Sequence, residues 1–289
     1  MSLIHPSAII DPSAELGQNV EIGPYSVVGP GCRIGDGTRL ASHVVLERDT
    51  TLGKNCVLAS GAVLGGDPQD HNYKNEPSAV EIGNNAVIRE YVTINRATGE
   101  GNITRVGDDC MIMAYAHLAH NVQLGNKVIL ANCVQLAGYV EVGDGVFISS
   151  TCLLHQFVKI GRLAIVAGFS GSRQDVPPFA MADGRPVAVV GINRVGIKRA
   201  GFTLEQRNHL RQAFSLLFFS NLNQQDAIAA VREKIVDDAN VDELIDFVIS
   251  SKRGIHRPSE EAMQRFRPGS HVSGEDAEVS APEASEVSS

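Results

Sequence analysis

From Ile4 onward an aliphatic residue stands at every sixth position: Ile10, Leu16, Ile22, Val28, Ile34, Leu40, Leu46, Leu52, Leu58 and Leu64. Neither the 3.6-residue period of a helix nor the two-residue period of a plain strand produces that spacing. The same frame resumes at Ile82, Ile88 and Ile94, and again from Val106 through Leu118, Leu130, Leu136 and Ile148 to Val166, so the interruptions keep the phase. Four residues after each aliphatic comes a small or β-branched one, as at Ala8, Ala14, Val20, Ser26, Val122, Val134 and Val146. Glycine often follows the aliphatic directly (Gly17, Gly35, Gly53, Gly125), where the expectation is a corner that needs unusual backbone angles. A long fixed hexad reads as a parallel β-helix, each hexad being one short flat face and its corner. Three faces close a coil, so residues three hexads apart should stack, and roughly eight coils would make a prism about 40 Å tall.

The rest of the chain divides by composition. Residues 1–190 are read as the prism, with external loops near 65–79 (GGDPQDHNYKNEPSA) and 96–105 (RATGEGNITR), both polar and rich in turn formers. The second loop has no assigned role. Residues 191–257 form a small α-helical domain: Thr203 with Gln206 makes a capping box, and apolar residues recur at helical spacing from Leu210 to Phe218, from Ala227 to Ile235 and from Val241 to Ile249. Residues 258–289 are mostly Ser, Glu, Ala, Pro and Gly and are expected to be disordered.

With 289 residues, 43% of them hydrophobic, the chain can bury a large core. No apolar run approaches the roughly 20 residues of a spanning helix and no secretory segment is visible, so a cytoplasmic location is expected. Cys32, Cys56, Cys110 and Cys152 fall in the small inward slot, and their spacings fit neither a disulfide framework nor a zinc knuckle. A net charge of -8 argues against nucleic acid as the main partner. Locally the sign reverses: Arg194, Lys198, Arg199, Arg207 and Arg211 face only Glu205, which makes either a solvated face or a dock for phosphates or an acidic protein.

Two histidines, His117 and His120, interrupt the hexads within AYAHLAHNVQLG. His120 sits where a side chain points off the prism, and an imidazole titrating near neutrality suits general-base work. Gly138 and Gln156 follow at three-hexad intervals and should stack on it in one column. Gly138 reads equally well as a turn glycine or as a bare N–H that contacts a developing oxyanion. Asn121 rather than an acid follows His120, so a backbone carbonyl or a partner subunit is expected to orient the imidazole. His117 and His155 can also be read as corner residues with satisfied hydrogen bonds, the less favoured reading of the two.

Several motifs occurring together in order, AHLAHN, PQD with a following Tyr and Glu-Pro, LLHQFVKIG, SGSRQDVPPFA and NRVGIKRAGF, resemble the UDP-N-acetylglucosamine acyltransferases over about residues 3 to 255. The resemblance implies a left-handed β-helix, assembly as a homotrimer, and no metal or nucleotide cofactor. It implies transfer of an (R)-3-hydroxyacyl chain from acyl carrier protein to the 3-hydroxyl of UDP-N-acetylglucosamine, the first step of lipid A synthesis. It casts His120 as the general base and Gly138 as the oxyanion contact. Asp70 and His117 would lie near the sugar, and Gln156, Asn193 and Arg199 near the uracil, ribose or phosphates. His155 matches another histidine common in the family. Gly168 matches a position that sets acyl length, glycine leaving room for a longer chain.

Departures from the family pattern fall in the same region. Tyr139, expected at the substrate site, replaces a histidine, Asn72 replaces a loop lysine that Lys74 is placed to substitute, Ala200 replaces an arginine and Val195 an acid. These changes leave open a 3-amino sugar nucleotide as acceptor. From other classes, a zinc site on His117, His120 and His155 resembling that of a carbonic anhydrase, and a non-catalytic scaffold, also remain open.

Overall fold

The computed structural model describes residues 2–256, 258, 262 and 263. The tail read above as disordered, 258–289, therefore lies outside the described residues except at Pro258, Ala262 and Met263.

The hexads fold as mostly two-residue strands in three parallel sheets, each strand pairing with the third strand on in sequence. This is a left-handed parallel β-helix, and mainly β is the class of the whole chain. In a regular coil Leu3 pairs with Glu21 and Ile4 with Ile22. Where the loops intervene, Val57 pairs with Val87 and Val87 with Met111, two hexads and one hexad farther on than the regular spacing. Whole hexads are added, so Leu64, Ile94 and Leu118 still stack in one column. The chain re-enters in register after each loop, and a one-residue slip in that pairing would turn the apolar set outward, because side chains alternate faces along a strand. The aliphatic and small columns accordingly fill the interior from Val20 to Val166.

The glycine directly after the aliphatic serves close approach rather than unusual angles, which corrects the expectation above for that position. A Cβ on Gly35 would stand 2.5 Å from the carbonyl oxygen of Gly53, and one on Gly53 would stand 2.5 Å from that of Gly83. Left-handed backbone falls two residues farther along each corner, at Asn19 (φ 56°), Asn55 (φ 55°), Asn121 (φ 63°) and Tyr139 (φ 62°). Asparagine tolerates that region better than other residues with a Cβ.

The loops also differ from expectation. Residues 96–105 do not simply project outward: Arg96, Ala97 and Thr98 are buried, and Ile103–Val106 is a strand of the third sheet. Arg96 pairs with Asp67 and, at 3.6 Å, with Asp49, and it donates to the Tyr73 hydroxyl at 3.0 Å. Gly99 N–H donates to Glu76 at 2.8 Å. The first loop is thus tied down onto the second, and the second packs against the coil that carries His120.

After the prism, Ala180–Asp183 and Ala188–Ile192 form an antiparallel hairpin on its end. Among the described residues the named helices that follow are α1 (Arg194–Arg199), α2 (Leu204–Phe218), α3 (Gln224–Lys234) and α4 (Ala239–Ser250). Thr203 and Gln206 make the predicted capping box. Arg162 of the prism joins the two parts, pairing with Glu243 of α4 at 2.7 Å and lying 4.9 Å from the Phe179 ring centroid. Cys32, Cys56, Cys110 and Cys152 are buried free thiols, and burial pushes Cys110 up to about 11. They pack as small hydrophobes, whereas Cys133 is exposed. Among the described residues no helix is long and apolar enough to cross a membrane.

Gly35→Ala should lower unfolding stability by about 1–3 kcal/mol, the usual penalty of forcing atoms into a packed contact. Urea denaturation measures it, and an unchanged midpoint would show that the corner has slack.

Candidate active site

Register builds the site. Thr93, His117, Gln135, Leu153 and Gly171 stack as one outward-facing column, rung by rung. The adjoining corner contributes His120, Gly138 and Gln156, one per coil. Together these columns wall a cavity of about 1320 Å³, closed at its sides by Gln69 of the first loop, by Ser172, Arg173 and Arg185, and by His256 beyond α4.

His120 is buried, with 5% of its surface exposed. Its Nδ1 lies 2.9 Å from Asn121 Oδ1. The orienting group is therefore the adjacent amide of the same chain, in place of the expected backbone carbonyl or partner subunit. Asn121 is itself buried: Thr98 N–H and the Thr98 hydroxyl both donate to Oδ1 at 2.9 Å, and Nδ2 donates to Thr98 C=O at 3.0 Å.

Gly138 has an answer too. Its backbone is not left-handed, and a Cβ there would stand 2.5 Å from His120 Cε1 and 2.6 Å from Nε2. Glycine is required because the imidazole occupies the space of a side chain. Among the described residues no internal acceptor takes the Gly138 N–H.

His117 Nδ1 is 2.7 Å from Thr93 Oγ1. Burial, and then the neighbouring His120, hold its pKa below the usual histidine value. His155 and Gln156 are exposed at the cavity, and the Arg253 guanidinium lies 2.9 Å from His155 Nδ1. These imidazoles do not converge as a metal site requires. Among the described residues no group of three His, Cys, Asp or Glu is placed to hold a metal ion.

Of the expected residues, His117, His120, Gly138, His155 and Gln156 line the cavity, while Asp70, Tyr139, Asn193, Arg199 and Gly168 do not. Asp70 accepts from Asn72 N–H at 2.9 Å within its own loop, and Gln69 takes the place at the cavity. Asn193 is buried and spent on structure: it caps α1 through Gly196 N–H at 2.8 Å and donates to Leu163 C=O at 2.7 Å. Arg199 stands in the last turn of α1. Gly168 lies beside Ser149 and Ser150, a Cβ there meeting Ser149 Oγ at 3.4 Å. Tyr139 sits behind His120, edge-on at 5.3 Å between ring centroids, and lines a second cavity of about 260 Å³ with Asn102, Gln123 and Glu141. Its hydroxyl is 2.9 Å from Thr98 Oγ1 and its ring stacks on Phe157 at 4.8 Å.

Sequence reasoning missed Gln69, Asn121, Arg173, Arg185 and His256 as members of the site. Signals existed for two of them: Gln69 sits in the PQD motif and Arg173 in SGSRQDVPPFA. Among the described residues neither Arg173 nor Arg185 has a carboxylate within ion-pair distance. That end of the cavity suits an anionic group.

The chain matches a family model described as Udp N-acetylglucosamine O-acyltransferase, domain 2, over residues 175–256. Bacterial transferase hexapeptide models match residues 2–35, 13–48, 31–66 and 103–138. It is similar to the acyl-[acyl-carrier-protein]–UDP-N-acetylglucosamine O-acyltransferases of Synechocystis sp. (48% identity over 58% of this chain and 61% of that protein) and Thermodesulfovibrio yellowstonii (46% over 67% and 76%). The aligned part thus spans less than two thirds of the Synechocystis protein. Among solved structures, LpxA from Acinetobacter baumannii superposes with a TM-score of 0.85 at 39% identity, over 88% of this chain and 100% of that one. The UDP-N-acetylglucosamine acyltransferase from Campylobacter jejuni superposes with a TM-score of 0.83 at 39% identity, over 89% and 100%.

His117 and His256 share one consequence for pH. Burial holds both below the value of an unfolded histidine, which is about 6.5. The unfolded chain then binds protons first as the medium acidifies, so their contribution to stability is complete above about pH 6.5 and is lost as pH falls through and below it. Urea midpoints should drop between pH 7.5 and 5.5, and His256→Gln should shrink the drop. An equal drop in that variant would assign the effect elsewhere.

Proposed function

The chain belongs to the UDP-N-acetylglucosamine O-acyltransferase family, and on that premise we propose that it transfers an (R)-3-hydroxyacyl chain from acyl carrier protein to the glucosamine 3-hydroxyl of UDP-N-acetylglucosamine, opening lipid A synthesis in the cytoplasm. The observation that carries the reading is the contact of His120 with Gly138. A buried imidazole tethered at Nδ1 presents its other nitrogen beside a side-chain-free amide, on the wall of a cavity of about 1320 Å³.

The chemistry asks for those parts. A sugar hydroxyl is a poor nucleophile, and His120 Nε2 takes its proton as the oxygen attacks the thioester carbonyl carbon. The carbonyl oxygen becomes an oxyanion, and the free N–H of Gly138 is the donor proposed to meet it. Collapse of the intermediate breaks the carbon–sulfur bond, and the carrier's sulfur leaves with the proton held on the imidazole. No cofactor enters these steps. His117 and Gln156 are assigned to the sugar nucleotide, with His155 beside them, and Arg173 and Arg185 supply cations at that end of the cavity.

Asn193, Arg199, Asp70 and Tyr139 lie off this chain's own cavity. Their proposed roles toward substrate rest on a homotrimer, in which a site between subunits joins His120 of one chain to residues of the next. The relatives are named for O-acyl transfer to UDP-N-acetylglucosamine, so a 3-amino acceptor is not favoured.

Purified protein incubated with (R)-3-hydroxyacyl carrier proteins of several lengths and UDP-N-acetylglucosamine should yield an acylated sugar nucleotide by mass spectrometry. His120→Ala should reduce the rate by about 10²-fold or more, the usual worth of a positioned base. Product formation undiminished in that variant would remove His120 from the role, and absence of product from wild type would remove the reaction. Gly168→Met should shift preference toward shorter donors, and an unaltered chain profile would refute the proposed length control. Lys74→Ala should raise KM for the sugar nucleotide if Lys74 substitutes for the family's loop lysine; an unchanged KM sinks that assignment.

A further inference from the structure

Asn121 is the residue whose arrangement exceeds what holding the fold requires. Its amide can be oriented without ambiguity, because Thr98 meets both ends with backbone groups of fixed polarity. Thr98 N–H can only donate and lies 2.9 Å from Oδ1, while Thr98 C=O can only accept and lies 3.0 Å from Nδ2. A flipped amide would set donor against donor and acceptor against acceptor. Oδ1 is thus an acceptor, and the His120 Nδ1 that stands 2.9 Å from it must carry the proton. In the neutral ring Nε2 is then the bare nitrogen.

We propose that Asn121 is the positioning residue for this reaction, locking His120 as the Nδ1–H tautomer through an amide that Thr98 fixes from behind, so that the base works with a neutral partner in place of a carboxylate. The inference rests on the reading of His120 as the base. Tyr139 completes the chain of hydrogen bonds. The Thr98 hydroxyl donates to Asn121 Oδ1, which leaves the Tyr139 hydroxyl, 2.9 Å from Thr98 Oγ1, to donate in turn. The tyrosine that departs from the family's histidine therefore braces the amide rather than touching substrate in this chain's own cavity.

A neutral partner has a kinetic consequence. When Nε2 takes the sugar proton, the imidazolium gains a hydrogen bond to an amide oxygen but no opposite charge. The titratable groups facing it are His117 on the same coil, which interacts with it electrostatically, and the Tyr139 phenol. His209 with Asp238 is the histidine–carboxylate pair among the described residues, and His120 has none. The proton taken by Nε2 therefore faces no neighbouring carboxylate on its way to the departing sulfur. A carboxylate at position 121 would favour the charged ring, typically by about 1–3 pKa units.

Two measurements test the lock. The pH dependence of kcat/KM, compared between wild type and Asn121→Asp, should show the acid limb moved upward by about one unit or more. Asn121→Gly accommodates the φ of 63° and removes the tether; it should lose about tenfold or more in kcat with little change in KM. An acid limb that stays put in an active Asn121→Asp, or full kcat in Asn121→Gly, overturns the proposal. Independently, the imidazole ¹⁵N shifts of substrate-free wild type, with His120 assigned through His120→Gln, should show Nδ1 protonated and Nε2 bare. The opposite tautomer, or an even mixture, overturns the lock whatever the enzyme's substrate. The locked tautomer in a protein without acyl-transfer activity would instead overturn the functional reading alone.

Discussion

In-register stacking of one coil on the next is the constraint on which the rest of this molecule depends. A strand of two residues buries little by itself; it is held because the same aliphatic column continues above and below and because its backbone groups pair with both neighbours. That arrangement requires the chain to re-enter in register after any insertion, and here both loops do so while adding whole hexads. The corner glycines belong to the same constraint, since adjacent coils approach too closely there for a Cβ.

The active site borrows its rigidity from this scaffold. Every side chain in the central wall of the cavity comes from a rung whose height and direction are fixed by pairing, so the separation of His120, Gly138 and Gln156 is set by the coil spacing. Loops that leave the prism return to brace it: the first is pinned through Arg96 and Glu76, and the second delivers Thr98 to the back of Asn121. The His120 ring on such a wall has little freedom to rotate, which suits the general-base role proposed for it.

Charge is distributed to match. Among the described residues the buried charges are each held by polar partners: Arg96 lies against carboxylates of the loops, Asp175 accepts from Lys159 N–H and the Ser251 hydroxyl, and Asp238 pairs with His209. His120 has only neutral partners at hydrogen-bond distance, and the cations Arg173 and Arg185 stand apart from it at another part of the cavity. On the proposed reading, proton transfer and anion binding would be separated within one groove, so that cations suited to a phosphate need not sit against the base.

The sequence by itself determined the prism, its three-face repeat, the two departures from it and the capped helices that follow, because each is written in a local period or a local motif. It also pointed to His120, Gly138 and Gln156 as one column, since three-hexad spacing translates directly into stacking. Contacts that join distant segments were beyond it. That Asn121 and not a backbone carbonyl holds His120 depends on Thr98, which lies more than three hexads earlier and is brought there by a loop of irregular length. Likewise Asn193 became a helix cap, Tyr139 turned to the far side of the imidazole, and His256 joined the cavity wall from beyond the last helix. Periodicity fixes which residues face outward on a regular coil. What meets them there is decided by how loops and helices close over the prism, and no repeat in the chain encodes that.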